Sequence, residues 1–250
     1  MQRSLAFMVD LSLETVRARL QAILGPQRQA DADRLDPMSQ LVKASISGRT
    51  RDRVAESAFA RLRRRFPDWA LLGAAAPRTI EAIIRPVTHA DAKAVHLRAA
   101  IRMIRARTGD LDLAFLADWD EEAAMQWLDG LPGVGPKVAA TVLNFSTLRK
   151  RVLAVDTHLL RVGTRLGWLP PNADYASGFA LMARRLPATW DADALFEMHW
   201  LLKYLGQHVC THHAPACARC PLSDLCPQAR HRTGEGLVGP AGLEPATTPL

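Results

Sequence analysis

Residues 131–137 restrict the fold of this 250-residue chain more than any other segment. They read Leu-Pro-Gly-Val-Gly-Pro-Lys and lie between two stretches in which apolar residues recur at helical spacing. Gly133 and Gly135 permit a tight turn because neither has a Cβ, and Pro136 suits the first position of a following helix. The segment therefore predicts two helices joined by a hairpin whose unpaired amides suit a phosphate group. An ordinary interhelical loop is the alternative for the two glycines taken alone.

Helical spacing extends along most of the chain, whereas the alternation typical of strands is scarce. We therefore predict an all-α fold without internal repeats. Residues 27–38 are predicted to form a linker, and residues 231–250, rich in Gly, Pro and Thr, a disordered tail. The predicted helices cover residues 13–24, 39–46, 52–66, 79–84, 92–107, 120–128, 136–147, 157–166, 175–186 and 192–208.

The chain is basic, with 32 Lys and Arg against 25 Asp and Glu and a formal net charge of +7. Such an excess favours a polyanionic partner such as nucleic acid. No segment is long and apolar enough to cross a bilayer, and residues 1–9 lack the layout of a signal peptide. We therefore expect a cytoplasmic protein with no membrane partner.

All four cysteines, Cys210, Cys217, Cys220 and Cys226, lie close together with the spacing C-x6-C-x2-C-x5-C. In a reducing compartment, such clustering indicates a metal site rather than a disulfide framework. Zinc sites generally use paired short knuckles, and only one C-x2-C is present here. Four thiolates in a short loop can also hold a 4Fe–4S cluster. Spacing by itself leaves both metals open.

Asp156 precedes an apolar helical stretch in the string Val-Asp-Thr-His. Aspartate is favoured at a helix N-cap, so capping is the simplest interpretation. A carboxylate beside a reacting sugar could also stabilise positive charge on its ring or help to deprotonate a nucleophile. His158 and Arg161, on the same predicted helix, either line a DNA-binding face or complete the helix surface.

Three strings together resemble the endonuclease III family of helix-hairpin-helix DNA glycosylases. They are Leu-Pro-Gly-Val-Gly-Pro-Lys-Val-Ala in the hairpin, Ala-Val-Asp-Thr-His followed by Arg161, and the cysteine spacing at every interval. The resemblance runs from about Pro37 to Cys226. It implies that Lys137 attacks the sugar of a damaged nucleotide, that Asp156 is catalytic and that the four cysteines hold a 4Fe–4S cluster.

The resemblance also implies a domain arrangement and a partner. Residues 37–150 would form a six-helix bundle with the hairpin, and residues 1–36 would join residues 151–230 in a cluster domain. A monomer in a bacterial cytoplasm, at the nucleoid, would bind double-stranded DNA with damaged or abasic sites in the cleft between these lobes. The expected DNA contacts are Gly133, Val134, Gly135, Arg49, His158 and Arg161.

Lys137 would lie in the first turn of the helix after the hairpin, where the helix dipole is positive. The dipole disfavours the ammonium form and so lowers the pKa of Lys137, and a lysine must lose its proton before it attacks carbon. The resemblance then implies base removal through a Schiff base, followed by β-elimination on the 3′ side. The alternative is a surface lysine that only neutralises a phosphate.

The positions that select the damaged base depart from the family pattern. Arg49 occupies the place of a polar amide that fills the gap left by a flipped base, and it could equally contact phosphate or be a surface charge. His89 occupies the place of a wedge leucine, and Ala90 that of a neighbouring tyrosine. The loop 211–216 lacks the family's basic residues, and Arg219 could supply part of that contact.

Two other functions stay open. The first is a monofunctional adenine-type glycosylase, because such enzymes are similar to this chain in architecture. Those enzymes lack a lysine at the position of Lys137, which argues against this function. The second is a non-catalytic DNA-binding protein that has kept the scaffold and lost substrate selection. The departures from the family pattern at Arg49, His89 and Ala90 leave this alternative open.

Overall fold

The computed structural model describes residues 11–233, with side chains as far as Arg230. The prediction for residues 1–9 therefore lies outside the described residues, as does the predicted tail beyond residue 233. The last helix begins at Pro227 and ends at Thr233, so it extends three residues into the stretch predicted to be disordered. No helix of the described residues is long and apolar enough to cross a membrane.

Within residues 11–233 the regular secondary structure consists of helices with no strand, which confirms the predicted fold class. Short 3-10 helices cover Asp31–Asp33, Ala114–Ala117 and Cys217–Arg219. The α-helices are α1 (Leu13–Leu24), α2 (Pro37–Ser47), α3 (Asp52–Arg65), α4 (Trp69–Ala74), α5 (Pro77–Ile84), α6 (Ala90–Thr108), α7 (Glu121–Asp129), α8 (Pro136–Phe145), α9 (Thr157–Arg165), α10 (Tyr175–Ala183), α11 (Ala192–His208) and α12 (Pro227–Thr233).

Helices α2 and α5 begin earlier than the apolar pattern predicts, because a proline and, in one case, a capping aspartate determine where they start. Helix α2 begins at Pro37, inside the predicted linker, because Asp36 caps it by accepting a hydrogen bond from the Ser39 amide at 2.8 Å. Helix α5 likewise begins at Pro77, two residues before its predicted start. A proline at the first helical position costs no hydrogen bond, since that amide has no partner within the helix.

Helix α4 is absent from the predicted set. It has only six residues and contains Gly73, which lowers helix propensity. A Cβ at Gly73 would lie 2.8 Å from a methyl carbon of Ile101, so glycine lets α4 pack closely against α6. Tertiary packing therefore stabilises a helix that local pattern does not indicate.

Two groups of buried apolar side chains make up the interior. Helices α2 to α8 supply most of the first core, in which Leu41, Leu62 and Ile104 are fully buried. Helices α1, α9 and α11 supply most of the second core, which includes Leu20 and Leu201. The predicted domain boundaries remain a prediction.

An extended segment, residues 152–155, connects the two cores. Val152 and Ala154 belong to the first core, whereas Leu153 and Val155 belong to the second. Successive side chains of an extended chain point in opposite directions. The segment can therefore contribute to both cores at once, and it leads directly into the N-terminus of α9.

Glu197 of α11 is a buried carboxylate that fixes α1 and the following segment. It is 3% exposed and accepts hydrogen bonds from Arg17 Nε at 2.7 Å, Gln21 Nε2 at 2.6 Å and the Gln27 amide at 3.0 Å. Arg17 also lies over the Trp190 ring, 5.1 Å from its centroid. One carboxylate of α11 thus binds three donors of α1 and the segment after it, which are about 170 to 180 residues away in sequence.

We expect Glu197→Ala to lower the free energy of unfolding by about 2–3 kcal/mol, because several donors lose a charged acceptor. Urea denaturation measures the change. Glu122 is exposed and serves as the matched control, so Glu122→Ala should cost less than about 0.5 kcal/mol. Equal losses for the two variants would contradict this role of Glu197.

Candidate active site

A cleft of about 950 Å³ lies where helix ends from both cores meet. The first core contributes the turn after α2 and the starts of α6 and α8, and the second contributes the start of α9 and the last turns of α11. Lys137 and Asp156 both line this cleft, although they belong to different helices. The structure therefore brings the two predicted catalytic residues to one site.

The hairpin differs from its prediction in the roles of its two glycines. Gly133 has a φ of +74°, in the left-handed region, and a Cβ there would lie 2.6 Å from the Cβ of His96. Gly135 is extended, at φ −111° and ψ −179°, and a Cβ there would contact nothing within 4 Å. Only Gly133 is therefore required by the turn, whereas Gly135 leaves open space beside Lys137.

The predicted row of unpaired amides is correct except at Val134. The Val134 amide donates to the Leu131 carbonyl at 3.1 Å, and its side chain is 5% exposed. Within the described part of the chain, the amides of Gly133, Gly135 and Lys137 have no hydrogen-bond partner. Val134 therefore shapes the hairpin from within, and the other three positions present donors to the cleft.

Lys137 lies deep in the cleft, at the second position of α8. Burial lowers the pKa of its amine below the ordinary lysine value, and the nearby Lys203 acts in the same direction, although Asp156 and Asp52 oppose them. Among the described residues, no carboxylate lies within 4.0 Å of the Lys137 Nζ. The Nζ also donates no hydrogen bond to any described residue. Burial, rather than the helix dipole invoked from sequence, is the largest cause of the lowered pKa.

Asp156 is the N-cap of α9, as predicted, and its Oδ1 accepts from the Leu159 amide at 2.8 Å. Burial by itself would raise the pKa of Asp156. The neighbouring His199, the Leu159 amide, His158 and Lys137 outweigh burial, so the pKa lies below the ordinary value. Asp156 is therefore a carboxylate at neutral pH and retains a second oxygen for the cleft.

His199 of α11 is a neighbour of Asp156 that the sequence did not reveal. It is 3% exposed, and its Nδ1 lies 2.7 Å from the Ala154 carbonyl. Burial lowers the pKa of His199 to about 4 despite the attraction of Asp156. Because a carbonyl only accepts, Nδ1 carries the proton of the neutral ring, and Nε2 is left as an acceptor.

Two more lysines line the cleft, and sequence reasoning missed the role of both. Lys203 donates to Asp52 Oδ1 at 2.8 Å and lies over the Trp200 ring, 4.3 Å from its centroid. Lys93 has a pKa lowered to about 8, first by burial and then by the charge of Lys137. No short motif contains these residues, since their contacts join helices far apart in sequence.

The other predicted DNA contacts are only partly free. Arg161 donates to the carbonyls of Gly206 at 2.8 Å and Cys210 at 2.9 Å, and its Nη2 lies 3.0 Å from His158 Nδ1. Arg161 therefore connects α9 to the end of α11, although it also lines the cleft. Arg49 is exposed at the mouth of the cleft.

The four cysteines are reduced and half-buried on the segment after α11. Burial and, to a smaller extent, the other three thiols raise the pKa of Cys220 to about 11, although a hydrogen bond from the Leu222 amide opposes them. Arg165 Nη1 donates to Cys210 Sγ at 3.1 Å. No three His, Cys, Asp or Glu side chains of the described residues are arranged to hold a single metal ion. The predicted cluster stays a prediction, and four cysteine thiols are a donor set that a 4Fe–4S cluster uses.

The chain is similar in sequence to a family of DNA repair proteins. Residues 42–187 match the HhH-GPD superfamily base excision DNA repair protein. The chain is 29% identical over 191 residues to endonuclease III-like protein 1 of Gallus gallus, covering 76% of this chain and 63% of that protein. It is 30% identical over 191 residues to endonuclease III-like protein 1 of Bos taurus, covering 76% and 58%. The chain thus spans about three fifths of the length of these relatives.

The fold is also similar to solved structures. A trapped endonuclease III–DNA covalent intermediate superposes with a TM-score of 0.71 at 22% identity, covering 90% of this chain and all of that one. A thermostable thymine-DNA glycosylase superposes with a TM-score of 0.68 at 17% identity, covering 88% and 95%. At these identities the similarity concerns the fold.

We expect the amines of Lys93 and Lys137 to titrate below about 10.4, the ordinary lysine pKa. Lys137→Met removes a positive charge, so the pKa of Lys93 should rise from about 8 while burial keeps it below the ordinary value. NMR titration of isotope-labelled lysines measures both. Lys150→Met is the control, because Lys150 Nζ binds carbonyls outside the cleft. An unmoved Lys93 midpoint in Lys137→Met would contradict the coupling.

Proposed function

Because this chain belongs to the HhH-GPD superfamily of base excision DNA repair proteins, we propose that it is a DNA glycosylase with abasic-site lyase activity. The observation that carries this proposal is the state of Lys137. Its amine lies deep in a basic cleft with a lowered pKa, and among the described residues it has no carboxylate partner. Such an amine is free to act as a nucleophile, whereas a lysine that only neutralises phosphate needs no such burial.

The proposed substrate is double-stranded DNA with a damaged or abasic site, bound by one copy of the chain. The unpaired amides of Gly133, Gly135 and Lys137 suit a phosphate next to the damaged nucleotide. Such contacts fix the register of DNA without reading its sequence. The sugar carbon is inaccessible in a stacked duplex, so the nucleotide must rotate into the cleft before reaction.

The proposed chemistry starts with attack by the neutral Nζ of Lys137 on C1′ of the flipped nucleotide. The bond from C1′ to the base nitrogen breaks, and its electron pair leaves with the base, which takes up a proton. The nitrogen lone pair then forms a C1′=N double bond as the C1′–O4′ bond breaks, and O4′ keeps that electron pair and takes up a proton from solvent, which gives a protonated Schiff base. Removal of a C2′ proton then expels the 3′ phosphate by β-elimination, and water releases Lys137.

Asp156 is proposed to act on the charged species that this attack creates. Its carboxylate is ionised at neutral pH, so it can stabilise positive charge on the sugar ring as the base leaves. It can also receive the proton that the Lys137 ammonium loses before attack. The N-cap bond to Leu159 uses Oδ1, so the second oxygen serves either role.

Cys210, Cys217, Cys220 and Cys226 are proposed to hold a 4Fe–4S cluster. When bound, the cluster would supply a rigid cross-link of its loop, with redox chemistry available in principle. The chain's own residues support this loop from several sides. Arg165 Nη1 and Nη2 donate to the carbonyls of Thr211 and His212, and Arg19 pairs with Asp224 at 2.5 Å. Thr211 and His212 line the cleft, so the ordered loop would contribute to the DNA surface.

The first test is covalent capture. We expect the protein to form an adduct with abasic-site duplex DNA in the presence of borohydride, which reduces the Schiff base to a stable amine. Lys137→Ala should abolish the adduct. Asp156→Asn should slow its formation by roughly 100-fold, while asparagine retains the capping acceptor. Lys150→Ala, outside the cleft, is the matched control and should react at the wild-type rate.

The capture experiment also separates the alternatives. An unreactive wild-type protein that still excises a base would indicate a monofunctional glycosylase. A protein that binds duplex DNA but neither reacts nor excises would be a non-catalytic binding protein. An adduct that persists at full yield in Lys137→Ala would exclude Lys137 as the nucleophile.

The second test is metal content. We expect protein purified without oxygen to contain about four iron and four sulfide ions per chain. Cys217→Ser should lower both and reduce thermal stability, because the loop loses a cross-link. Stoichiometric zinc without sulfide would contradict the cluster and favour a zinc site.

A further inference from the structure

Lys93 holds the turn that carries Arg49. Its Nζ donates to the carbonyls of Ile46 at 3.0 Å and Gly48 at 2.6 Å, and to the Thr50 hydroxyl at 3.3 Å. Ile46 lies in the last turn of α2, and Gly48 and Thr50 lie in the turn that follows it. Residues 46–50 are here called the Arg49 turn. An ammonium has three donors, so these contacts use its full capacity.

Lys93 lies in the first turn of α6, directly after the turn that carries His89, residues 85–89. Its backbone amide makes the first hydrogen bond of α6, to the His89 carbonyl at 3.0 Å, so the side chain that binds the Arg49 turn extends from the helix that His89 caps. The Thr50 hydroxyl adds a second connection, because it accepts from the Thr88 amide at 3.2 Å. One lysine and one hydroxyl therefore link the Arg49 turn to the His89 turn.

The two linked turns share an unusual backbone geometry. Arg49 has a φ of +54° and His89 a φ of +57°, and Arg149 is the only other non-glycine residue with a positive φ in the described chain. Such conformations cost free energy for a residue with a side chain and persist where the surroundings hold them. Arg49 and His89 are both exposed and line the cleft.

We propose that Lys93 is a positioning residue that holds Arg49 and His89 in one fixed relation, so that both side chains engage duplex DNA together. The proposal rests on the DNA-binding part of the proposed function. Arg49 would reach the unpaired strand through its guanidinium, and His89 would enter beside it from the same rim of the cleft. Loss of the Lys93 ammonium would release the Arg49 turn from the start of α6, so that Arg49 and His89 would no longer be held in one relation.

The same geometry argues against Lys93 as a second nucleophile. An ammonium that donates all three protons to oxygens has no lone pair, so Lys93 would have to lose a proton and one of these hydrogen bonds before it could attack. Lys137, in contrast, has no bonded acceptor for its Nζ among the described residues. The two lysines, although close enough to interact electrostatically, have separate tasks.

The test measures equilibrium binding to DNA that contains a tetrahydrofuran abasic analogue, which cannot form a Schiff base. The readout is the ratio of affinities for the duplex and for the same single strand, since only the duplex has an opposite base. We expect Lys93→Met to lower this duplex preference about tenfold and Lys93→Arg to retain most of it. Thr50→Val keeps the ammonium but removes the shared hydroxyl, so it should lower the preference by a smaller factor.

A thermodynamic cycle identifies the residue through which Lys93 acts. Arg49→Ala should lower the duplex preference, and adding Lys93→Met should lower it by less than the product of the two single effects. Melting temperatures identify any variant that has lost its fold, and Thr50→Val provides the test if Lys93→Met does not fold.

An unchanged duplex preference in Lys93→Met or, where that variant does not fold, in Thr50→Val would overturn the proposal, as would strictly multiplicative effects with Arg49→Ala. Because binding of this analogue does not require Lys137 chemistry, the result is independent of the borohydride experiment. A protein that fails to form an adduct yet shows the predicted loss of duplex preference would lose the proposed lyase activity and keep this role of Lys93.

Discussion

The extended segment 152–155 fixes the relation between the two catalytic candidates. Its side chains alternate between the cores, with Val152 and Ala154 in the first and Leu153 and Val155 in the second. A shift by one residue would exchange the environments of all four side chains, so packing on both sides determines the register. The hydrogen bond from His199 to the Ala154 carbonyl holds the same segment to α11. Asp156 follows at once, and its position therefore depends on both cores rather than on a flexible loop.

The electrostatics of the cleft follow from this arrangement. Three lysines and three arginines line one open volume. Three of these six are bonded to protein acceptors: Lys203 to Asp52, Lys93 to the Arg49 turn and Arg161 to the end of α11. These three side chains keep their positive charges, but their N–H groups already donate hydrogen bonds within the protein. Lys137 alone among the three lysines has neither bond nor ion pair within the described residues, and the surrounding positive charge and burial both disfavour its ammonium form. The partners of the other two lysines thus leave Lys137 as the candidate nucleophile among the three.

The sequence predicted the parts of this site that lie within short strings. Gly133, Pro136 and Lys137 follow from local backbone requirements, and Asp156 follows from its capping position before an apolar helix. It could not predict Lys93, His199 or Lys203 as members of the site, because each is defined by contacts across the fold. Gly135 shows a further limit of sequence-based prediction. A glycine beside open space cannot be distinguished in sequence from a glycine that a left-handed turn requires, such as Gly133. Helix α4 was missed for a related reason, as its stability comes from packing against α6 rather than from its own residues.

The floor and the rim of the cleft are built by different means, and this difference has a consequence for substrate selection. The floor consists of the first turns of α8 and α9, whose positions are determined by buried side chains of both cores. The rim consists of turns with exposed side chains, held by single polar groups such as the Lys93 ammonium and the Thr50 hydroxyl. A substitution at Arg49 or His89 leaves every buried contact of the floor in place. The residues proposed to meet the opposite strand can therefore change independently of Lys137 and Asp156, which fits a chain whose hairpin matches the family pattern and whose rim departs from it.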